Sequence, residues 1–234
     1  VGYGEKAVVS DVNVTLPGGR ITVILGGSGS GKSTLLKHIL RLHRPIAGRV
    51  TIGGHDIFNL SRKALRCLKQ RLGLLFQDGA LLGSLTLFDN IALPLREHTR
   101  LKEKAIAEIV RAKAGLVGLA DFLGYFPNQL SGGMRKRAGL ARAMVMDPEI
   151  LFCDEPTSGL DPVNSAALDD LLLELKRRFD MTRGPVPAAL PGAPGRGERG
   201  RDADPAQARP QGHEDRLQQV PGRRRPLTPA KERP

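Results

Sequence analysis

Residues 26–33 read Gly26-Gly27-Ser28-Gly29-Ser30-Gly31-Lys32-Ser33, a glycine-rich run closed by a lysine and a hydroxyl. Glycines let a backbone turn its N–H groups inward and approach phosphate oxygens without Cβ clashes. An apolar stretch, Ile21–Leu25, precedes the run, and a helical pattern over Ser33–Arg41 follows it. The start of that helix, with Thr34 in its first turn, adds a partial positive charge facing the same anion. In such a setting Lys32 reaches the outer phosphates of a nucleotide and the Ser33 hydroxyl ligates Mg²⁺. An acidic complement stands at Asp154 and Glu155, directly after the apolar run Ile150-Leu151-Phe152-Cys153. Open α/β sheets bind ligands at the carboxyl ends of such strands. There Asp154 can hold the Mg²⁺ shell, and Glu155 can orient and deprotonate an attacking water.

Positioning those groups requires strands that end where helices begin. Apolar alternation predicts strands over Val8–Leu16 and Arg20–Leu25, separated by the Pro17-Gly18-Gly19 turn. Gly48–Ile52 reads as a short strand closed by Gly53-Gly54, and Leu72–Phe76 as a buried one. From Leu81 to Phe126 the pattern is helical and loop-rich, with helical periodicity over Lys102–Lys113. Ser131 starts a further helix that Asp147-Pro148 stops near Met146. Ile150–Cys153 is apolar throughout, as central parallel strands are. Ala166–Phe179 places Leu168, Leu171, Leu172 and Leu175 on one helical face. Strands alternating with helices predict an α/β fold with a mostly parallel sheet covered on both sides.

Bulk properties narrow the classes. The 234 residues suffice for one sizeable domain, and 40% are hydrophobic, so a core can be buried. Cys67 and Cys153 have neither metal-ligand spacing nor a disulfide framework, which fits a reducing compartment. No stretch approaches the roughly 20 apolar residues of a membrane-crossing helix, and the N-terminus lacks a signal-peptide layout. A net charge of +12 would suit anionic partners, but residues 183–234 alone hold 11 Lys/Arg against 6 Asp/Glu.

With Leu130-Ser131-Gly132-Gly133-Met134 placed before the Asp154-Glu155 pair, the phosphate loop and acids resemble the ATP-binding-cassette (ABC) ATPases. The resemblance covers residues 1–182 and implies a P-loop NTPase core with a small antiparallel β part and an inserted helical subdomain at about 80–135. ATP and Mg²⁺ are the implied cofactors. It further implies that Ser131 and its glycines, again a helix N-terminus, face the ATP of a second subunit in a head-to-tail homodimer. Gln77 matches the glutamine that joins Mg²⁺ to the transporter-facing helical segment, and Ser158-Gly159-Leu160-Asp161 matches a loop crossing the dimer interface. Tyr3 matches an aromatic platform for adenine. Finer similarity lies in Phe76-Gln77-Asp78-Gly79-Ala80-Leu81-Leu82, in Phe88–His98 and in Met134, which look like the ATPases of Mla-type phospholipid transporters. That implies a membrane permease and an Mce-domain lipid-binding protein as partners, a place on the cytoplasmic face of the inner membrane, and no nucleic acid.

Two departures qualify the expectation. The chain begins at Val1 where relatives carry a further strand, so an edge strand is expected to be incomplete. After Thr182 a buried β-branched strand delivering a histidine to the γ-phosphate is expected, yet the sequence reads Pro185-Val186-Pro187-Ala188-Ala189-Leu190. Residues 183–234 hold 10 of the 17 prolines and no aromatic residue, a composition expected to be disordered or to reflect a shifted reading frame. Weak or absent steady-state ATP hydrolysis is the expectation that follows.

Overall fold

In the computed structural model, residues 1–3 and 6–179 are described. The expectations placed on 183–234, and on the histidine-bearing strand, therefore fall outside the described residues. Gly2–Tyr3 (β1) pairs antiparallel with Lys6–Ala7 (β2). Lys32–Ile39 (α1) follows the glycine-rich loop, and Thr51–Ile52 (β3) forms a tight antiparallel hairpin with His55–Asp56 (β4). Arg62–Gln70 (α2) leads into Leu72–Leu75 (β5). Then come Leu87–His98 (α3), Glu103–Leu116 (α4), Gly132–Met144 (α5), Ile150–Cys153 (β6) and Pro162–Phe179 (α6).

Local chemistry explains where the helices begin. Ser61, Thr86 and Ser131 each sit in extended conformation before a helix, and each side-chain oxygen accepts a bond from the N–H three residues on. Such caps satisfy an otherwise orphaned donor and are worth about 1 kcal/mol. Helix α2 is divided sharply, with Ala64 and Leu68 buried while Arg62, Lys63, Arg66 and Lys69 face outward. Helix α4 buries Ile106, Val110 and Ala114 at four-residue spacing.

Two clusters form the interior. The larger joins α3, α4, α5, β5 and α6 through residues such as Leu75, Ile91, Val110, Leu140 and Leu175. The smaller gathers Ile52, Ile57, Leu60, Ala64 and Leu68 beneath α2. Asn90 is fully buried on α3 and holds the preceding loop. Its Oδ1 accepts from Leu82 N at 2.8 Å, and its Nδ2 donates to the carbonyls of Leu82, Leu85 and Thr86 at 3.0–3.1 Å. Helix α5 crosses the loop after β5 so closely that a Cβ on Gly139 would stand 2.7 Å from Gly79 Cα.

The parallel sheet is narrower than the sequence predicts. β5 and β6 pair in parallel from Leu72↔Ile150 to Leu75↔Cys153, and no other described strand joins them. The predicted strands Val8–Leu16 and Arg20–Leu25 do not form; both segments are irregular and, Val9 apart, their apolar side chains are exposed, Val23 by 65% and Leu25 by 83%. The reason is that a strand is not a local structure: it needs a neighbour to take its N–H and C=O groups. No described strand lies alongside 8–25, and β6 has a described partner on one edge only. Gly48–Ile52 likewise shrinks to Thr51–Ile52, because only those residues meet β4. No described helix is long and apolar enough to cross a membrane.

Candidate functional site

Chain tracing alone separates the phosphate loop from the acidic pair, and the fold brings them together. Gly29 and Gly31 take φ of +79° and +91°, left-handed conformations that side chains disfavour, and Gly31 caps α1. The loop therefore enters the helix with its first-turn N–H groups open. Lys32 folds back over the loop, its Nζ donating to the Gly26 and Gly27 carbonyls at 2.9 Å each. The same ammonium lies 3.5 Å from Glu155 Oε1. Ser33 Oγ donates to Asp154 Oδ1 at 2.9 Å. Two hard oxygen donors at this separation fit one Mg²⁺ ion, which keeps much of its shell as water and phosphate oxygens. Thr34 contributes its carbonyl to His38 Nδ1 at 2.7 Å, an interaction within the helix.

Asp154 and Glu155 leave the end of β6, where Asp154 N donates to Leu75 O at 2.9 Å and so stays in register with β5. Glu155 then adopts φ of +44°, uncommon for a residue with a side chain. Just before this pair, the half-buried Cys153 has its thiol pushed up to about 12 by desolvation, which keeps it protonated. Gln77 follows β5, and its Nε2 donates to Ser158 Oγ at 3.3 Å. The loop Ser158–Asp161 is thus tied to Gln77 on one side.

On its other side that loop meets the segment Leu130–Met134. Ser131 caps α5 by accepting from Met134 N at 3.2 Å, and Arg135 holds the Leu130 carbonyl at 2.6 Å. A Cβ on Gly132 would lie 3.7 Å from Leu160, and one on Gly133 would lie 3.3 Å from Asn164 Oδ1. Asp161 accepts from Val163 N and Asn164 N at 3.1 and 3.0 Å, starting α6. Bonds from Asn164, its side-chain amide first, hold the Asp161 carboxyl below the usual carboxylate range. Among the described residues, no hydrogen bond or ion pair joins Leu130–Met134 to residues 26–34 of the same chain. Tyr3 contributes its backbone to β1, and its side chain lies outside the described residues.

Three functional contacts escape a motif-based reading. Lys136 is 95% buried, and its ammonium donates to the Ser158 carbonyl and, at 3.5 Å, to that of Glu155. Burial first lowers its pKa, with Asp78 and then Glu155 opposing the shift. The signal was a charge placed on the inward stripe with Leu140 and Met144. Arg142 donates at 2.8 Å to both the Gly79 and Ala80 carbonyls, fastening the loop after Gln77 to α5. Asn90 holds the far end of that loop.

A family model described as "ABC transporter" matches residues 9–158. The probable ribonucleotide transport ATP-binding protein mkl of Mycobacterium tuberculosis is 51% identical over 180 residues, which cover 77% of this chain and 50% of that protein. This chain therefore spans about half the length of that relative. The intermembrane phospholipid transport system ATP-binding protein MlaF of Haemophilus influenzae is 41% identical over 179 residues, 76% of this chain and 68% of its own. Among solved structures, the dimeric ATP-binding cassette MJ0796 bound to ADP and Pi after hydrolysis superposes with a TM-score of 0.70 at 31% identity. That match covers 78% of this chain and 81% of the cassette.

Proposed function

Because this chain belongs to the ABC transporter family, we propose that it binds Mg²⁺–ATP and energises a membrane transporter whose cargo is a phospholipid. The observation that carries the reading is the convergence of Lys32, Ser33, Asp154 and Glu155 within 3.5 Å contacts, across more than a hundred residues of sequence. Residues 26–34 cradle the phosphates, and Tyr3 is assigned to the adenine. Lys32 leaves its two carbonyls to meet the β- and γ-phosphates. Ser33, Asp154 and Gln77 hold the Mg²⁺, which supplies charge neutralisation of the phosphate oxygens. Glu155 orients and deprotonates the attacking water.

The nucleotide-binding domain is assigned to residues 1–182, and its segment at about 80–135 transmits motion to a permease. Leu130–Met134, which among the described residues make no hydrogen bond or ion pair with residues 26–34 of their own chain, serve the ATP of a second copy in a head-to-tail homodimer. Ser158–Asp161 lie at that junction. MlaF's name, which speaks of intermembrane phospholipid transport, supports the phospholipid reading; with that reading go an Mce-domain partner and a place at the cytoplasmic face of the inner membrane. The name of the mkl protein favours a second reading, in which the cargo is a different solute such as a ribonucleotide. Another concerns catalysis: no histidine occurs between His98 and His213, so ATP binding with little turnover is expected.

Binding of a fluorescent ATP analogue and release of phosphate test both points on one sample. Wild-type protein is expected to bind the analogue in a Mg²⁺-dependent way, Lys32→Ala to lose that binding, and turnover to be slow. Analogue binding that survives Lys32→Ala sinks the site assignment. Turnover as fast as that of an ordinary transport ATPase sinks the slow-catalysis reading. Phospholipid co-purifying with the assembled transporter, against ribonucleotide, separates the cargo readings.

A further inference from the structure

Residues 155–158 close a tight turn after β6, in which Ser158 N donates to the Glu155 carbonyl at 3.1 Å. Both ends of that turn take a second bond from one group on α5. The Lys136 ammonium donates to the Ser158 carbonyl and, at 3.5 Å, to the Glu155 carbonyl. Lys136 is only 5% exposed, and it forms no ion pair with any described carboxylate. A charge withdrawn from water and bonded to carbonyls alone costs stability that an apolar side chain of similar length would not. What it supplies is a fixed backbone. Glu155 at φ of +44° holds a conformation that persists only where its surroundings over-determine it. The clamp is also anchored. A Cβ on Gly79 would stand 2.8 Å from the Arg135 carbonyl, and Gln77 Nε2 donates to the Ser158 hydroxyl. Lys136 follows Arg135 directly, so one turn of α5 touches the loops at 77–80 and 155–158 together.

We propose that Lys136 is a positioning residue for nucleotide hydrolysis: by clamping the Glu155 and Ser158 carbonyls to α5, it aims the Glu155 carboxylate at the attacking water. The proposal rests on the assignment of Glu155 as the base and adds the group that holds it. Lys136 itself neither gives nor takes a proton. Lys32 Nζ also lies 3.5 Å from Glu155 Oε1, but that ammonium is the one assigned to the phosphates. Once it turns to them, the clamp from the backbone side is what keeps the carboxylate in place. An arginine at 136 retains charge and N–H donors for the two carbonyls, whereas a methionine matches the lysine in length and offers no donor.

The test uses the full chain in excess over Mg²⁺–ATP labelled at the γ-phosphate, so that even slow release is read in a single turnover. Affinity for the fluorescent ATP analogue is measured on the same preparations. Lys136→Met is expected to keep that affinity within about twofold and to slow release about tenfold or more, the scale on which a misplaced catalytic group costs rate. Lys136→Arg is expected to recover most of the loss. On a Glu155→Gln background, Lys136→Met should slow release no further, because the lysine acts only through the glutamate. Four outcomes overturn the proposal: wild-type release from Lys136→Met, loss of its analogue affinity, no recovery with arginine, or an equal further loss on the Glu155→Gln background. The last would mark damage unrelated to Glu155. Wild-type release no faster than that of Glu155→Gln refutes the base assignment and the proposal with it. Release that depends on Glu155 but not on Lys136 refutes the lysine alone.

Discussion

Two glycine-to-alanine substitutions, chemically identical and both inside helices, are expected to change stability in opposite directions. Gly139 lies on α5 where an added Cβ would meet Gly79 Cα at 2.7 Å, Gly79 O at 2.9 Å and Leu75 Cδ1 at 3.0 Å. Two of these are backbone atoms, so no side-chain rotation relieves the clash. Overpacking of this kind costs about 1–3 kcal/mol. Pushing the loop off α5 also strains the bonds from Arg142 to Gly79 and Ala80, worth about 1 kcal/mol each. The better helix propensity of alanine returns up to about 1 kcal/mol. The net expectation is a loss of about 2–4 kcal/mol. Gly115 on α4 has nothing within 4 Å of its added Cβ, so Gly115→Ala keeps only the propensity term and should gain up to about 1 kcal/mol. Urea unfolding of the full chain separates them, since an m-value of roughly 2 kcal/mol/M turns the Gly139→Ala loss into a midpoint about 1–2 M lower. A Gly139→Ala midpoint equal to or above that of Gly115→Ala would refute the close-packing argument.

Two further outcomes follow from buried or charged polar groups. Asn90→Ala removes the side-chain bonds from α3 to Leu82, Leu85 and the Thr86 carbonyl and leaves the Leu82 N–H without its acceptor. Its cost should be about 3 kcal/mol in thermal or urea unfolding, and a cost below that of an exposed control such as Asn59→Ala would contradict it. The Thr86 hydroxyl, and after it Arg96, hold the Asp89 carboxyl below the usual carboxylate range. A carboxyl depressed on folding stabilises the protein above its unfolded pKa of about 3.9, and that stability disappears as the pH falls through the lower folded value. Asp89→Asn should therefore flatten the acid limb of the stability–pH curve, and an unchanged limb would show that the pair contributes nothing there.

What the sequence conveyed is what short stretches of chain decide for themselves. The phosphate loop is contiguous, and its glycines, Lys32 and Ser33 state their chemistry wherever the fold places them. Helices beginning after Thr86 and Ser131 lie within the predicted helical regions, because the caps are local. The strands at 8–16 and 20–25 failed for the opposite reason, since alternation shows which face would be buried but not whether a neighbour is there. Helix α2 also went unread, because four outward cations on nine residues mask the small apolar stripe of Ala64 and Leu68. Lys136, Arg142 and Asn90 were missed because their partners are backbone carbonyls and amides, and every residue type supplies those. Only the tertiary approach of α5 to the loops at 77–80 and 155–158, and of α3 to the loop at 82–86, selects which ones.

The left-handed turn at Glu155 bears on how such a chain can change over generations. An acid at φ of +44° holds a backbone shape that glycine or asparagine would adopt more cheaply, by about 1–2 kcal/mol. Selection for robustness alone would move this position toward one of those two, and neither can take a proton from water. A lineage released from the need to turn over nucleotide should therefore lose the acid early and become sturdier as it does so. Under the role proposed for Glu155 as the base, a glutamate at this strained position is what selection for turnover over stability would leave.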